Sequence, residues 1–221
     1  MAVSKMHPVE AILEAYAAGQ RLFGENRVQE YEQKSARLQG LEGIGFHLIG
    51  PLQSNKTNKA AELFDAVDAV DSLKIAQRLE AAAKSRGKRL PVSIEVKLSP
   101  EESKHGIAPG ELMGLLDAMR GFECVEAVGL MTVPPWSEDV EVARPYFREL
   151  RRLRDEAGKV HPKVKQLSMG MTNDFEVGIE EGSTCVRVGT AIFGKRVYGK
   201  ANAETADRST PLRSAQDDSL R

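Results

Sequence analysis

The chain has 221 residues, 41% of them hydrophobic and 29% charged, and its 31 basic and 32 acidic side chains leave a net charge of -1. That suits one soluble domain with a sizeable core. It excludes a global pull toward nucleic acid or membrane, because the lysines and arginines are scattered along the chain. No apolar run is long enough to span a bilayer and no signal peptide opens the sequence, so a cytoplasmic protein is expected. Cys124 and Cys185 lie far apart in apolar runs, without metal-type spacing. They read as small core residues in a reducing compartment.

In chain order, short apolar runs alternate with amphipathic helices. Ala2-Val3-Ser4 reads as a first strand, after which Pro8 opens a helix with Ile12, Leu13 and Tyr16 on one face and Gly19 at its end. Arg21-Leu22-Phe23 is a second strand, followed by a helix over about 26–38. Phe46-His47-Leu48-Ile49 is a third, closed by Gly50-Pro51 before a polar helix over about 55–63. Ala66-Val67-Asp68-Ala69-Val70 is a fourth, and Asp71 or Ser72 caps the helix after it. Val92-Ser93-Ile94-Glu95-Val96 is a fifth, with Pro109 opening the next helix. A sixth strand over 125–130 precedes a long helix carrying Phe147, Leu150 and Leu153. Gln166-Leu167-Ser168 is a seventh, a short helix spans about 174–180, and 185–188 is an eighth.

Eight strands separated by helices predict a parallel α/β protein. A TIM-type (β/α)8 barrel is the simplest closure, and a doubly wound open sheet is the alternative. No glycine-rich dinucleotide fingerprint follows the first strand, which lowers the open-sheet reading. About seven helices for eight strands leaves one flank to be covered by residues ahead of Met1 or by a partner. The barrel is expected over 1–200, with residues 201–221 a disordered polar tail.

In such a barrel function collects at the C-terminal ends of the strands. Lys5 stands after the first strand, and a lysine buried in a barrel mouth has a lowered pKa and can form a Schiff base with an aldehyde. Ser168, Met169 and Thr172 follow the seventh strand, and Gly189 and Thr190 the eighth; these are the loops that hold phosphate in barrels. Arg187 sits inside an apolar strand, where a charge is costly unless paired. A phosphorylated ring bearing an aldehyde describes pyridoxal 5'-phosphate, with Arg187 toward the ring nitrogen.

Six motifs in order carry a resemblance. They are Ala2-Val3-Ser4-Lys5, Phe23-Gly24-Glu25-Asn26 with Val28-Gln29-Glu30, His47 with Ile49-Gly50-Pro51-Leu52-Gln53-Ser54-Asn55-Lys56, Gly129-Leu130-Met131, Leu167-Ser168-Met169-Gly170-Met171, and the run from Val186 to Gly194. Over about 2–198 the chain closely resembles the pyridoxal phosphate homeostasis protein family. The resemblance implies a barrel like the alanine racemase N-terminal domain and a Schiff base on Lys5. It also implies cytosolic buffering or delivery of the cofactor to dependent apoenzymes, without robust catalysis. The ligand set expected is Lys5, Asn26, His47, Asn55, Ser168, Met169, Thr172, Arg187, Gly189 and Thr190, with no metal, and the chain is expected to be a monomer. Two departures stand out. The family's usual N-terminal helix is lacking, which predicts a less stable barrel. Met6-His7 also replaces the usual Thr-Lys.

Blander readings accompany several of these residues. His47 lies among apolar neighbours and reads equally as a satisfied core histidine. Glu25 or Asn26 caps the next helix, Asn55 starts one, and Met6, Met169 and Met171 pack. Trp136, in a loop after Pro134-Pro135, is a surface-anchor candidate that ranks low. Arg187 cannot act as the proton-accepting partner that keeps the ring nitrogen protonated, so that nitrogen stays unprotonated and the cofactor is a weak electron sink. That disfavours transamination and leaves an amino-acid racemase-like enzyme as the alternative. A scaffold that has lost the cofactor is a third reading.

Overall fold

The computed structural model describes residues 1–101 and 105–194, so the tail expected at 201–221 lies outside the described residues. Eight strands form one sheet in sequence order, and every pairing is parallel. They are β1 (Ala2–Val3), β2 (Leu22–Glu25), β3 (Gly45–Leu48), β4 (Ala66–Val70), β5 (Leu90–Glu95), β6 (Val125–Met131), β7 (Gln166–Met171) and β8 (Cys185–Arg187). The two edges meet at a parallel bridge between Ala2 and Val188. There Val3 N–H donates to Val188 O at 2.8 Å and Val188 N–H to Met1 O at 3.0 Å. The sheet therefore closes into a barrel, and the open-sheet alternative falls.

The helices are α1 (Val9–Ala17), α2 (Val28–Ser35), α3 (Thr57–Leu63), α4 (Leu73–Lys84), α5 (Leu112–Ala118), α6 (Arg144–Val160), α7 (Phe175–Glu180) and α8 (Thr190–Phe193). Where the pattern gave about seven, the structure adds the one-turn α8 after β8. It was hidden because four residues are too few to show a helical period. Among the described residues no helix is long and apolar enough to cross a membrane.

Strand alternation sorts side chains between two surroundings. Phe23 of β2 and Phe46 of β3 stack at 5.4 Å, and Tyr31 of α2 lies on Phe46 at 4.4 Å and near Phe64 at 4.8 Å. That aromatic layer glues the first helices to the sheet. Gly24, between Phe23 and Glu25, faces the other way. A Cβ there would sit 2.7 Å from Met1 Sδ and 3.1 Å from Ile49 Cδ1, so a larger residue would have to displace the Met1 side chain.

Farther along, Ser72 caps α4 by accepting the Ile75 N–H at 3.4 Å. Glu80 of α4 accepts N–H groups of Glu123 at 3.0 Å, Cys124 at 3.1 Å and Val125 at 2.7 Å, which fixes the entry to β6. Phe147, Leu150, Leu153 and Ala157 form the buried face of α6, as their spacing requires. Cys124 and Cys185 are half-buried rather than in the core as expected, and Cys124 packs against the core's edge.

Candidate cofactor site

A cavity of about 500 Å³ opens at the C-terminal end of the barrel. Lys5, Asn26, Thr172, Arg187, Gly189 and Thr190 all line it, so strands β1, β2, β7 and β8 deliver the expected residues to one place. Lys5 is half-buried and stands just beyond β1, after Ser4. Asn26 follows β2, and the backbone after β3 comes so close that a Cβ on Gly50 would sit 2.4 Å from Asn26 O.

Arg187 is 4% exposed. Its Nη1 donates to Ser168 Oγ at 2.7 Å and its Nη2 to Thr132 O at 2.9 Å, both neutral acceptors. Burial pushes the guanidinium below its ordinary value, and Asp68 is the main charge opposing that. An arginine so placed remains a cation with donor capacity facing the cavity.

The loops after β7 and β8 are tied together. Gly189 N–H donates to Thr172 Oγ1 at 3.2 Å, and Asp174 Oδ1 accepts the Met171 N–H at 2.6 Å. A Cβ on Gly189 would lie 3.4 Å from Val3 O, so the β8 loop packs on β1. The His7 ring stands 5.0 Å from that of Phe193, which links the segment after Lys5 to α8.

Four expected ligand residues do not line the cavity. Ser168 is buried behind Arg187 and acts by holding it. Met169 is fully buried in the hydrophobic core. His47 turns into the barrel, where its Nδ1 is 3.1 Å from Asp68 Oδ2, and Ser93 Oγ donates to Asp68 Oδ1 at 3.1 Å. Asn55 is exposed, in a short 3₁₀ turn (Ser54–Lys56), and lines a separate shallow groove with Gln53 and Asp71. Glu25 caps nothing; it is buried and accepts from Ser4 Oγ at 2.7 Å. Sequence reasoning passed over Asp68, although a lone carboxylate in a wholly buried strand was a usable signal. It also placed Trp136 merely at the surface. The residue is 73% exposed but stands on the cavity wall with Val133 and His105.

The chain matches the family of alanine racemase N-terminal domains over residues 1–197. Alanine racemase of Clostridium difficile superposes with a TM-score of 0.74 over 89% of this chain and 53% of that one, at 16% identity, which is a likeness of fold alone. Fold and site together thus define an alanine racemase-type barrel. The pyridoxal phosphate homeostasis protein of Vibrio cholerae is 44% identical over 203 residues, 90% of this chain and 86% of that one. That of Escherichia coli is 44% identical over 206 residues, with the same coverage of 90% and 86%. The structure of PipY of Synechococcus elongatus with pyridoxal phosphate bound is 41% identical, with a TM-score of 0.83 over 88% of this chain and 91% of that one. The chain belongs to the pyridoxal phosphate homeostasis protein family.

Proposed function

We propose that this protein holds pyridoxal 5'-phosphate in the barrel mouth and buffers or delivers it, without robust catalysis. The observation that carries the reading is the convergence of Lys5, Arg187, Gly189 and Thr190 on one cavity. The donor set fits the group: an amine, a buried guanidinium, and a glycine-threonine turn beside a hydroxyl. Bound there, pyridoxal phosphate supplies an aldehyde that a primary amine captures covalently. Lys5 provides that amine. Thr172, Gly189 and Thr190 grip the phosphate with hydroxyl and backbone groups. Asn26 would contribute a side-chain amide to the cavity wall.

Arg187, held by Ser168 and Thr132, would offer a ring nitrogen a donor only. A guanidinium gives the nitrogen no proton, so electron withdrawal is weak and chemistry is muted. That, with the homeostasis names its relatives carry, supports a carrier over a racemase. The same reading takes the chain as a cytoplasmic monomer whose recipients are pyridoxal phosphate-dependent apoenzymes.

The test is a visible spectrum with added pyridoxal phosphate, before and after borohydride, on the wild type and on Lys5→Ala. A new band that borohydride converts to a covalent adduct at Lys5, and that the variant lacks, is expected. A folded wild type without the band overturns the proposal. Steady turnover of D- or L-alanine would move the racemase reading ahead.

A further inference from the structure

Lys34 lies on α2 and is 8% exposed. Its three ammonium hydrogens have three acceptors: Ser4 O at 3.1 Å, Glu25 Oε1 at 2.9 Å and Glu30 Oε1 at 2.7 Å. Both carboxylates reach on to the segment around Lys5. Glu25 Oε1 also accepts from Ser4 Oγ at 2.7 Å, and Glu30 Oε1 also accepts the Met6 N–H. One buried cation therefore grips the residues on either side of Lys5, through the Ser4 carbonyl and hydroxyl and through the Met6 amide.

What it grips is a tight turn. His7 N–H donates to Ser4 O at 3.1 Å, which places Lys5 and Met6 at the two central positions. Met6 has φ 62, the one positive-φ non-glycine among the described residues. Its side chain is 50% exposed, so packing does little to hold that backbone. A strained backbone of this kind persists only where its surroundings over-determine it. The polar contacts of Lys34 and Glu30 supply the determination. Burying Lys34 and Glu25 together is a poor way to gain stability, since apolar residues of similar size do as well. It is a good way to fix a position, because the ammonium has a single arrangement that satisfies all three donors.

We propose that Lys34, with Glu25 and Glu30, sets the turn that aims Lys5 into the cavity, which makes Lys34 and Glu30 positioning residues for capture of the aldehyde. The inference rests on the proposed cofactor site for its consequence and on the turn for its geometry.

The experiment compares wild type, Glu30→Ala and the double variant Lys34→Met/Glu25→Gln, which removes both buried charges and leaves only Glu30, whose side chain is 23% exposed, without its cation. Three quantities are read. Affinity for pyridoxine 5'-phosphate, which has no aldehyde, reports the cavity. The rate of borohydride-trapped capture of pyridoxal phosphate reports Lys5. Amide hydrogen exchange of Met6 and His7, without ligand, reports the turn. The expected result is pyridoxine phosphate affinity within about twofold of wild type, capture slower by about 10- to 100-fold, and faster exchange at both amides. Unchanged capture and exchange overturn the proposal. So does an equal loss of affinity and capture, which a merely structural role produces. A wild type that captures no pyridoxal phosphate removes the proposed function, and amide exchange then still decides whether Lys34 and Glu30 set the turn.

Discussion

Two buried cations flank Lys5 and are held in opposite ways. Lys34 sits between β2 and α2 with two carboxylates on its ammonium, so its charge is consumed within the protein. Arg187 sits inside the barrel on a hydroxyl and a carbonyl, and its charge is opposed through space by Asp68 first, with Glu95 and Asp174 adding to it. On the proposed readings, the difference separates a charge that shapes the backbone from one kept for a ligand. Neutralisation at short range marks the first, and hydrogen bonding to neutral oxygens marks the second.

The contrast breaks most readily at Lys34. Lys34→Met leaves Glu25 buried, with its Oε2 already unpartnered, and should cost about 3–5 kcal/mol in urea unfolding. Adding Glu25→Gln should recover most of that, because the ion then left without its cation is Glu30, whose side chain reaches solvent; equal stability of single and double variants would break the comparison. Arg187→Met should cost less, about 1–3 kcal/mol in the same titration, since the groups it strands are neutral. It should also weaken pyridoxal phosphate binding, which Lys34→Met with Glu25→Gln should not do for pyridoxine phosphate.

Glu80 sharpens the comparison from the acidic side. Burial pushes it up, but the N–H groups of Glu123, Val125 and Cys124 prevail and hold it below its usual value. A carboxylate lowered on folding contributes stability that is present above its unfolded pKa of about 4.3 and is lost as pH falls through the folded value. Glu80→Gln should therefore flatten the acid limb of a stability-versus-pH curve, and an unaltered limb would show that those N–H groups do not distinguish the ion. The smallest effect belongs to Trp136→Ala, within about 0.5 kcal/mol by thermal melt. Trp136 is the chain's one tryptophan, and its emission should change when the cavity fills.

The residues that sequence alone located are those whose position follows from a strand ending. Lys5, Arg187, Gly189 and Thr190 follow or end β1 and β8, and strand order carried them to the cavity. His47 and Asn55 belong to β3 and the loop after it, and whether they reach the wall depends on strand stagger, which a sequence does not display. Ser168 points the expected way, but a longer side chain from β8 covers it. Lys34 stands in a helix of mostly polar residues and reads as solvated. Its burial comes from where α2 lands on β2, a tertiary fact. The turn at Met6 was equally invisible, because a methionine gives no hint of a left-handed backbone.

The barrel's closure has one more consequence. β8 and β1 are joined by a single bridge, Ala2 with Val188, whereas β5 and β6 pair along six register positions. Lys5 and the Gly189–Thr190 turn stand on opposite sides of that narrow seam. On the proposed reading, a ligand bonded at one and gripped by the other would work as a staple across the joint. Loading the cofactor and fastening the barrel would then be one equilibrium, each tightening the other by the same free energy.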